Sequence, residues 1–497
     1  MHRRAMIRST MAAAVAAGFP RRAFAEWRWA QDPGDLLAVR GDGGKVSLKG
    51  AALKELKASL RGRLLVAKDQ GYEEARQVLN GSIDKHPALI VQPTGVADVR
   101  SAVAFARSNS LLVAVKCGGH SFSGQSTCDG GLMIDLSSFR GVRVDPTAKK
   151  VWVAGGTLLG AVDHEAMAHG LVTPLGTVSS TGVGGLTTGG GFGRVARRFG
   201  LALDNVVGAD VVTADGAFHH ADATENPDLL WGIRGGGGNF GVVTSFEFRL
   251  HPMQRQVIGG VLVFPMAKAR DLLAFYADYS LTAPDDLYLD FFLSRPPQGD
   301  AVAGFGVCYS GPAALADRVL GPLRKLGTPL ADEVKPTDYV ALQRSTDDSD
   351  PRASGTYVKN GFTAEISPKL MEALLDGHQG DPGRSTEVLF QHSGGAIGRV
   401  PTGATAFAHR YSKHNLLIII GWPAASDSAP HIRWARQYWA TLEPFTRGVY
   451  VNHEGDAKDS GAFNAIYREN YRRLVAVKTK YDPTNLFRLN ANITPKA

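Results

Sequence analysis

Residues 176–193 (GTVSSTGVGGLTTGGGFG) contain eight glycines in eighteen positions. Glycine loses more backbone freedom on folding than any other residue, so this density is tolerated where the backbone must approach something closely or adopt a positive φ angle. Consecutive free N–H groups in such a segment form a concave site suited to a phosphate. Apolar strand and helix patterns flank the segment, so we expect an anion-binding loop inside a folded domain and not a flexible linker.

A second glycine turn follows the apolar strand pattern of residues 111–116 and presents His120 directly after Gly118 and Gly119. A histidine here has three interpretations: a structural imidazole, a metal ligand, or the covalent attachment point for the methyl carbon of a flavin ring. No Cys/His cluster with metal-site spacing lies near it in the sequence, which argues against a metal ligand. The two glycines would let a flat ring approach closely, and N–H groups around residues 117–121 would face a pyrophosphate.

Two segments match the glycine fingerprint of dinucleotide-binding folds, and both are rejected on their context. GGGNFG at residues 236–241 is followed by VVTSFEF, which has a strand pattern where the fingerprint requires a helix. GFGRVA at residues 191–196 is preceded by glycines and threonines instead of a strand. A Rossmann domain is therefore not expected.

The order of strand and helix patterns predicts an α+β protein. Residues 82–252 alternate short apolar strands with amphipathic helices and are predicted to form one domain. Residues 253–440 suggest an antiparallel sheet covered by helices on one face. Residues 26–81 form an N-terminal segment, and residues 441–497 contain a helix followed by the tail PTNLFRLNANITP.

Residues 1–25 have the pattern of an export signal: a basic start with Arg3 and Arg4, a short apolar stretch, and the small-x-small site AFA. A twin-arginine route is favoured; an ordinary leader or a mis-assigned start codon are the alternatives. These residues carry five arginines and no acid, so the formal net charge of +8 falls to +3 for the remainder. That charge is too weak to indicate nucleic-acid binding. No segment is long and apolar enough for a membrane span, and nothing indicates an oligomeric state or a metal site.

The three cysteines do not form a disulfide framework. Cys117 and Cys128 flank the His120 turn and would be able to pair in an oxidising compartment. Buried, unpaired thiols are the favoured interpretation.

Six motifs follow one another along the chain: VAVKCGGHSFSG, GTVSSTGVGGLTTGGGFG, GLALDNVVGADVVTADG, PDLLWGIRGGGGNFGVVTSFEFRL, VYVNHEGD and KTKYDPTNLFRLNANITP. In content and order they resemble the FAD-linked oxidases of the berberine bridge enzyme type, within the vanillyl-alcohol oxidase/PCMH flavoprotein superfamily. The resemblance implies a PCMH-type FAD-binding domain at 82–252, a substrate domain at 253–440 whose sheet covers the flavin, and a C-terminal segment at 441–497 that returns to the first domain.

The resemblance implies that His120 carries a covalent bond to FAD. Many members have a second bond from a cysteine two residues after the glycine of the GT motif, where this chain has Val178, so a single link is predicted. Lys116 stands where the family usually has arginine. The cofactor contacts that the resemblance implies are Lys116, Cys117, Gly118, Gly119, His120, Ser121, Gly124, Gln125, Thr177, Thr181, Gly182, Gly184, Gly185, Gly190, Gly191, Asn205, Gly241, Val243, Asn490 and Asn492.

The catalytic residues that the resemblance implies lie in VYVNHEGD, which is similar to the family pattern Tyr-x-Asn-Tyr-x-Asp. Tyr450 would lie over the flavin as the base, or as the group that orients the substrate hydroxyl, and Asn452 would help to fix the ring edge. His453 replaces the second aromatic residue of the pattern. Ala491 replaces a glutamine that is common between the two tail asparagines.

The export signal predicts an exported, periplasmic or extracellular protein, and the resemblance implies that it is an enzyme. It would oxidise a hydroxyl or related C–H group of a sugar, oligosaccharide or secondary metabolite by hydride transfer to flavin. Thr181 stands where related enzymes have a Val, Ile or Leu that controls dioxygen access; its shape is close to that of valine, which favours dioxygen as the acceptor. Two alternatives stay open: a dehydrogenase with another acceptor, and a flavin-binding protein without turnover.

Overall fold

The computed structural model describes residues 34–345, 347, 351–453 and 466–496, and the predicted export signal at residues 1–25 lies outside them. The described chain forms two lobes. The first lobe is built from residues 34–252 together with residues 466–496, and the second lobe is built from residues 253–448. Residues 449–453 lie between the lobes.

The first lobe contains two main sheets. Its strands are β1 Leu36–Val39, β2 Lys45–Leu48, β3 Arg63–Leu65, β4 Leu89–Gln92, β5 Val113–Lys116, β6 Leu132–Asp135, β7 Val142–Asp145, β8 Lys150–Ala154, β9 Leu171–Val172, β10 Val206–Val212, β11 Phe218–Asp222, β12 Val242–Arg249 and β13 His251–Pro252. One sheet has the order β3-β4-β6-β5, with β4, β6 and β5 parallel. The other, β11-β10-β12-β8-β7, is antiparallel. Both β4 and β6 are buried along their whole length, as their continuous apolar runs predict.

The helices of the first lobe cover these sheets and carry the chain between them. They are α1 Gly50–Ser59, α2 Tyr72–Arg76, α3 Val96–Ser108, α4 Leu159–Met167, α5 Val183–Gly189, α6 Ala196–Phe199 and α7 Pro227–Ile233. Helix α3 connects β4 to β5 and buries Val99 and Val103 on one face, the period that the sequence predicts.

The second lobe is one large antiparallel sheet whose longer helices cover one face. Its strands are β14 Gln256–Pro265, β15 Leu287–Arg295, β16 Val302–Tyr309, β17 Ala331–Asp332, β18 Lys335–Asp338, β19 Ser354–Thr363, β20 Ser385–His392 and β21 His414–Pro423, and its helices are α8 Ala269–Thr282, α9 Ala316–Arg324, α10 Tyr339–Gln343, α11 Pro368–Gly377, α12 Ala396–Arg399 and α13 Ser428–Leu442. The strand order is β17-β14-β16-β15-β20-β21-β19, and β18 also pairs with β14.

The two faces of the large sheet have different neighbours. On one face, Phe291, Phe305 and Ile418 share a core with Tyr276 of α8 and with residues of α9, α11 and α13. On the other face, Phe362 of the edge strand β19 packs in a cluster with residues of the first lobe. The sheet is therefore the wall that the second lobe turns toward the first.

The C-terminal helix, α14 Tyr471–Tyr481, returns to the first lobe. The buried Lys478 ammonium lies 2.7 Å from the Asp482 carboxylate and donates hydrogen bonds to the carbonyls of Asn239 (2.8 Å) and Phe487 (2.9 Å). These bonds tie the tail to the glycine turn at residues 235–241.

The α+β class and the antiparallel sheet covered by helices on one face are confirmed. Strand β12 follows GGGNFG directly, so the rejection of a Rossmann site was correct. All three cysteines are unpaired. Within the described ranges, no helix has both the length and the apolar character needed to cross a membrane. The domain limits at residues 82, 252 and 440 stay predictions.

Candidate functional site

A cavity of about 350 Å³ lies where four parts of the chain meet. They are the two glycine segments (the His120 turn at residues 117–121 and the loop at residues 176–193), the glycine turn at residues 235–241, and the C-terminal tail. Residues 450–453 close it on the side of the second lobe. Sixteen of the residues predicted from sequence line it: Cys117, Gly118, Gly119, His120, Ser121, Gln125, Thr177, Thr181, Gly182, Gly184, Gly185, Gly241, Val243, Tyr450, Asn452 and Asn490.

The two glycine segments cross in direct backbone contact. A Cβ built on Gly118 would lie within 3.0 Å of the Gly182 nitrogen, and a Cβ on Gly182 would lie within 3.0 Å of the Gly118 nitrogen and of the Cys117 sulfur. Gly119 has a φ of +72°, a region that favours glycine. The glycines at these positions are therefore required by the crossing itself, and they bring residues more than sixty positions apart to one wall of the cavity.

His120 lies at this crossing with both ring nitrogens near hydroxyl groups. Its Nε2 is 3.2 Å from Ser180 Oγ, and its Nδ1 is 3.3 Å from Thr181 Oγ1. Burial lowers the pKa of His120 to about 4, because desolvation disfavours the imidazolium ion. The imidazole is therefore neutral near pH 7 and keeps a nitrogen lone pair.

Tyr450 is buried, with its hydroxyl held from two sides. The Gly191 N–H and Asn452 Nδ2 each donate a hydrogen bond of 2.8 Å to Tyr450 Oη. Asn360 of β19 pairs with the Tyr450 backbone in both directions: the Tyr450 N–H donates to Asn360 Oδ1 (2.7 Å), and Asn360 Nδ2 donates to the Tyr450 carbonyl (3.2 Å). Burial raises the pKa of Tyr450 to about 12, because desolvation outweighs the hydrogen bonds to its hydroxyl, which lower the pKa. The phenol is thus protonated and fixed in position at neutral pH.

His453 lines the cavity beside Tyr450, with 4.9 Å between the ring centroids. Its Nδ1 lies 3.5 Å from Asn415 Nδ2. The ring of Phe122 packs against it edge to face, with 6.0 Å between the ring centroids. Burial lowers the pKa of His453 to about 4, so this ring is neutral as well. His453 replaces the second aromatic residue of the family pattern Tyr-x-Asn-Tyr-x-Asp, and it therefore gives the cavity a neutral polar ring.

The cavity lining is uncharged. No Asp, Glu, Lys or Arg is found among its described residues, ten of which are glycines. An anionic group would therefore be held by backbone N–H groups, hydroxyls and amides. One tail oxygen of the lining, Asn490 Oδ1, is buried without a hydrogen-bond partner among the described residues, and Asn492 Oδ1, outside the lining, is unpartnered as well. Such atoms fit a bound molecule with donor groups of its own, as the flavin ring and ribityl chain of FAD have.

Six predicted contacts lie outside the lining: Lys116, Gly124, Gly190, Gly191, Asn205 and Asn492. The Lys116 ammonium is buried, donates to the Ala75 carbonyl and lies 3.4 Å from the Asp135 carboxylate. Asn205 donates to the carbonyls of Phe199 (3.1 Å) and Leu201 (2.9 Å) within its own loop. These two side chains hold the protein backbone.

The glycines among the six have local roles. Gly124 has a φ of +68°, and its carbonyl accepts a bond from Lys85 Nζ (2.8 Å). A Cβ on Gly190 would meet the Tyr450 ring at 2.7 Å, and Gly191 donates to its hydroxyl. Gly190 and Gly191 therefore support Tyr450 from behind.

Sequence reasoning missed several lining residues. Gly237, Gly238, Phe122, Ser123 and Ser126 adjoin predicted positions, so the motifs that contain them were a usable signal. Other missed residues also lie in the quoted motifs, but their apolar character is equally typical of a core: Val113, Val115, Val242, Phe487 and Leu489. Leu136 lies outside the motifs, and only the three-dimensional fold identifies it.

Comparison with known proteins assigns the two parts of this site to described families. Residues 87–222 match the model of an FAD binding domain, and residues 449–494 match the model described as berberine and berberine like. An FAD-linked oxidoreductase of Dictyostelium discoideum is 34% identical over 432 residues, which cover 86% of this chain and 94% of the relative. The (R)-6-hydroxynicotine oxidase of Paenarthrobacter nicotinovorans is 29% identical, and the alignment covers 88% of this chain and 98% of that relative.

Solved structures give the same result for the fold. The 6-hydroxy-D-nicotine oxidase of Arthrobacter nicotinovorans superposes with a TM-score of 0.81 at 28% identity, covering 88% of this chain and 99% of the other. A chitooligosaccharide oxidase superposes with a TM-score of 0.80 at 24% identity, covering 90% of this chain and all of the other.

Proposed function

Because this chain belongs to the berberine bridge enzyme-like family of FAD-linked oxidoreductases, we propose that it oxidises a hydroxyl of a sugar, an oligosaccharide or a secondary metabolite. The observation that carries the proposal is His120, a neutral imidazole at the crossing of two glycine segments in the wall of an uncharged cavity. FAD, when bound, would supply the chemistry: it would accept a hydride from the carbon that bears the hydroxyl, while the hydroxyl proton is released to solvent.

The cavity offers each part of FAD a suitable environment. The apolar residues Val113, Val115 and Phe487 suit the adenine, and the glycines and hydroxyls at the crossing suit the pyrophosphate. The flavin ring then belongs at the end with His120, Thr181 and Tyr450. This division follows from the chemistry of the lining residues.

We assign the covalent link to His120 alone. Its neutral ring keeps the lone pair that a bond to the flavin methyl carbon requires. That bond would replace one C–H bond of the methyl group and would leave the flavin reduced by two electrons, which dioxygen, the proposed acceptor, would take up. Val178 lines the cavity at the position where many relatives have a second, cysteinyl link. A single bond through His120 is therefore proposed.

Tyr450 orients the substrate hydroxyl. Its oxygen already accepts two N–H hydrogen bonds, and its proton is retained at pH 7 because burial raises its pKa to about 12. The phenol O–H therefore donates toward the substrate oxygen, and Asn452 and Gly191 fix its direction. His453, also neutral, supplies a second polar contact at the same end of the cavity.

Dioxygen is proposed as the electron acceptor, with hydrogen peroxide as product. Thr181 lines the cavity, and its side chain has the permissive shape of valine. The relative named as a 6-hydroxynicotine oxidase supports an oxidase. Anaerobic reduction followed by admission of air tests this: reoxidation within seconds supports an oxidase, and slow reoxidation supports a dehydrogenase with another acceptor.

Export is proposed from the sequence pattern of residues 1–25. Intact mass of the mature protein tests it, because cleavage after AFA leaves a chain that begins at Glu26. The proposed domain limits of 82–252, 253–440 and 441–497 are tested by limited proteolysis.

The decisive experiment measures the protein and its colour together. Purified protein should be yellow, its intact mass should exceed the polypeptide mass by that of one FAD, and the colour should stay with the chain after acid precipitation. A panel of sugars, oligosaccharides and aromatic alcohols is then screened for bleaching of the flavin absorption. Protein that is colourless and stays colourless after incubation with FAD would contradict the proposal.

A further inference from the structure

Residues 77–82 (QVLNGS) form a strap between the His120 loop and the second lobe. On one side, the Leu79 N–H donates a 2.9 Å hydrogen bond to the carbonyl of Gly119. On the other side, the Gly81 N–H donates a 3.0 Å hydrogen bond to the carbonyl of Ser354, at the start of the edge strand β19. The strap therefore contacts the segment that carries His120 and the outermost strand of the large sheet.

The side chain of Asn80 joins both sides within a single amide group. Its Nδ2 donates to the carbonyl of Phe122 (2.7 Å) and to the carbonyl of Thr356 (2.8 Å). Its Oδ1 accepts from the N–H of Thr356 (3.0 Å) and from the hydroxyl of Ser82 (2.8 Å). The residue is only 3% exposed, and both amide protons and the oxygen are used.

This arrangement requires an asparagine. An edge strand leaves backbone N–H and C=O groups without a neighbouring strand, and Asn80 satisfies both groups of Thr356 as a strand would. Its second amide N–H donates to the carbonyl of Phe122, which lies two residues after His120. An aspartate would direct lone pairs at two carbonyls, and an alanine would leave three partly buried backbone groups without this partner.

We propose that Asn80 is a positioning residue that fixes the spacing between the cofactor loop and the sheet of the second lobe. This inference rests on the proposed function, because the spacing matters only if a flavin attached at His120 faces that sheet. Thr356 lies on the same face of β19 as Asn360, which holds Tyr450, since the two residues are four apart along the strand. The strap thus sets the distance between the large sheet and a flavin attached at His120, at the end of the cavity where Tyr450 lies.

The test compares Asn80→Ala with Asn470→Ala in the full-length flavoprotein. Asn470 is a matched control, because it is also buried and donates to three backbone carbonyls, those of Thr402, Thr405 and Ala406, which do not line the cavity. Sulfite is the probe, because it bleaches oxidised flavin and its rate reports access to the ring. Hydrogen–deuterium exchange of the same samples reports the strap directly.

With Asn80→Ala, the amides of Leu79 and Thr356 should both lose protection, and sulfite should bleach the flavin about tenfold faster, since the net loss of one or two hydrogen bonds shifts an opening equilibrium by about that factor. With Asn470→Ala, the sulfite rate per bound flavin and the exchange of Leu79 and Thr356 should stay at the wild-type level, because Asn470 bonds to neither side of the strap. Equal sulfite rates in the two variants, or exchange that increases on one side of the strap only, would overturn the proposal.

If Asn80→Ala does not fold, Ser82→Ala decides in its place, because it removes only the hydroxyl donor to Asn80 Oδ1. Loss of one hydrogen bond predicts about a fivefold effect in the same direction, and no effect overturns the inference. Failure of the proposed function is distinguishable, because wild-type protein would then carry no flavin for sulfite to bleach, or would carry flavin that no substrate of the panel bleaches, whereas the comparison of the two variants uses sulfite alone.

Discussion

Replacement of Gly182 by alanine tests the crossing of the two glycine segments. The new Cβ would lie within 3.0 Å of the Gly118 nitrogen and the Cys117 sulfur, so the segments must separate by about 1 Å to restore ordinary contact. Overpacking of this kind costs about 1–3 kcal/mol, which lowers Tm by about 2–4 °C per kcal/mol in a domain of this size. Both segments line the cavity, so bound flavin should fall together with Tm.

The control is Gly321→Ala. Gly321 lies inside helix α9, a Cβ there meets nothing within 4 Å, and alanine is favoured by about 0.5–1 kcal/mol in a helix. Differential scanning fluorimetry and the absorbance ratio of flavin to protein measure both variants. A Gly182→Ala protein with wild-type Tm and full flavin content would refute the close crossing, whatever the control does.

Three further predictions concern single side chains. His120→Ala should still bind FAD but release its colour on acid precipitation, and colour that stays with the precipitated chain would place the link elsewhere. Tyr450→Phe should keep its flavin and lose about 10²–10³ in kcat, the effect of removing one oriented hydrogen-bond donor. Because burial raises the pKa of Tyr450 to about 12, the wild-type rate should show no tyrosine ionisation between pH 7 and 9, and a rise in rate there would identify Tyr450 as a base. Burial lowers the pKa of His409 and of His414 to about 3, so below pH 6.5 the unfolded chain binds more protons than the folded one, and each histidine should lower the free energy of unfolding by about 1.4 kcal/mol per pH unit. Urea unfolding at pH 7.5, 6 and 5 measures this loss, and equal stabilities at the three pH values would contradict it.

The fold was predictable where local pattern and packing agree. The run VVTSFEF alternates as strand β12 does, and helix α3 buries the face that its period indicates. Strands β19 and β20 were not predicted. Strand β19 contains two glycines, a lysine and an asparagine, and β20 contains a glutamate and a glutamine, so each is formed mainly through its pairing with β21.

The candidate site was predictable where motifs place residues together along the chain, as around His120. Lys116 shows the limit of this reasoning. A basic residue before a glycine turn suggests a phosphate contact, but the parallel pairing of β5 with β6 sets Asp135 opposite Lys116, and the ammonium lies beside that carboxylate. Asp135 is distant in sequence, so only the register of the sheet reveals the pair. Asn80 is a similar case, because its partners include Thr356 of the other lobe.

The absence of Asp, Glu, Lys and Arg from the described cavity wall has a physical consequence for how a dinucleotide would be retained. Peptide dipoles neither titrate nor attract mobile counter-ions as side-chain charges do, and those beneath an enclosed ligand are shielded from dissolved salt. Retention would then depend little on the acidity or salinity of the medium. A protein with such a cavity would keep its prosthetic group on transfer between compartments that differ in pH and ionic strength.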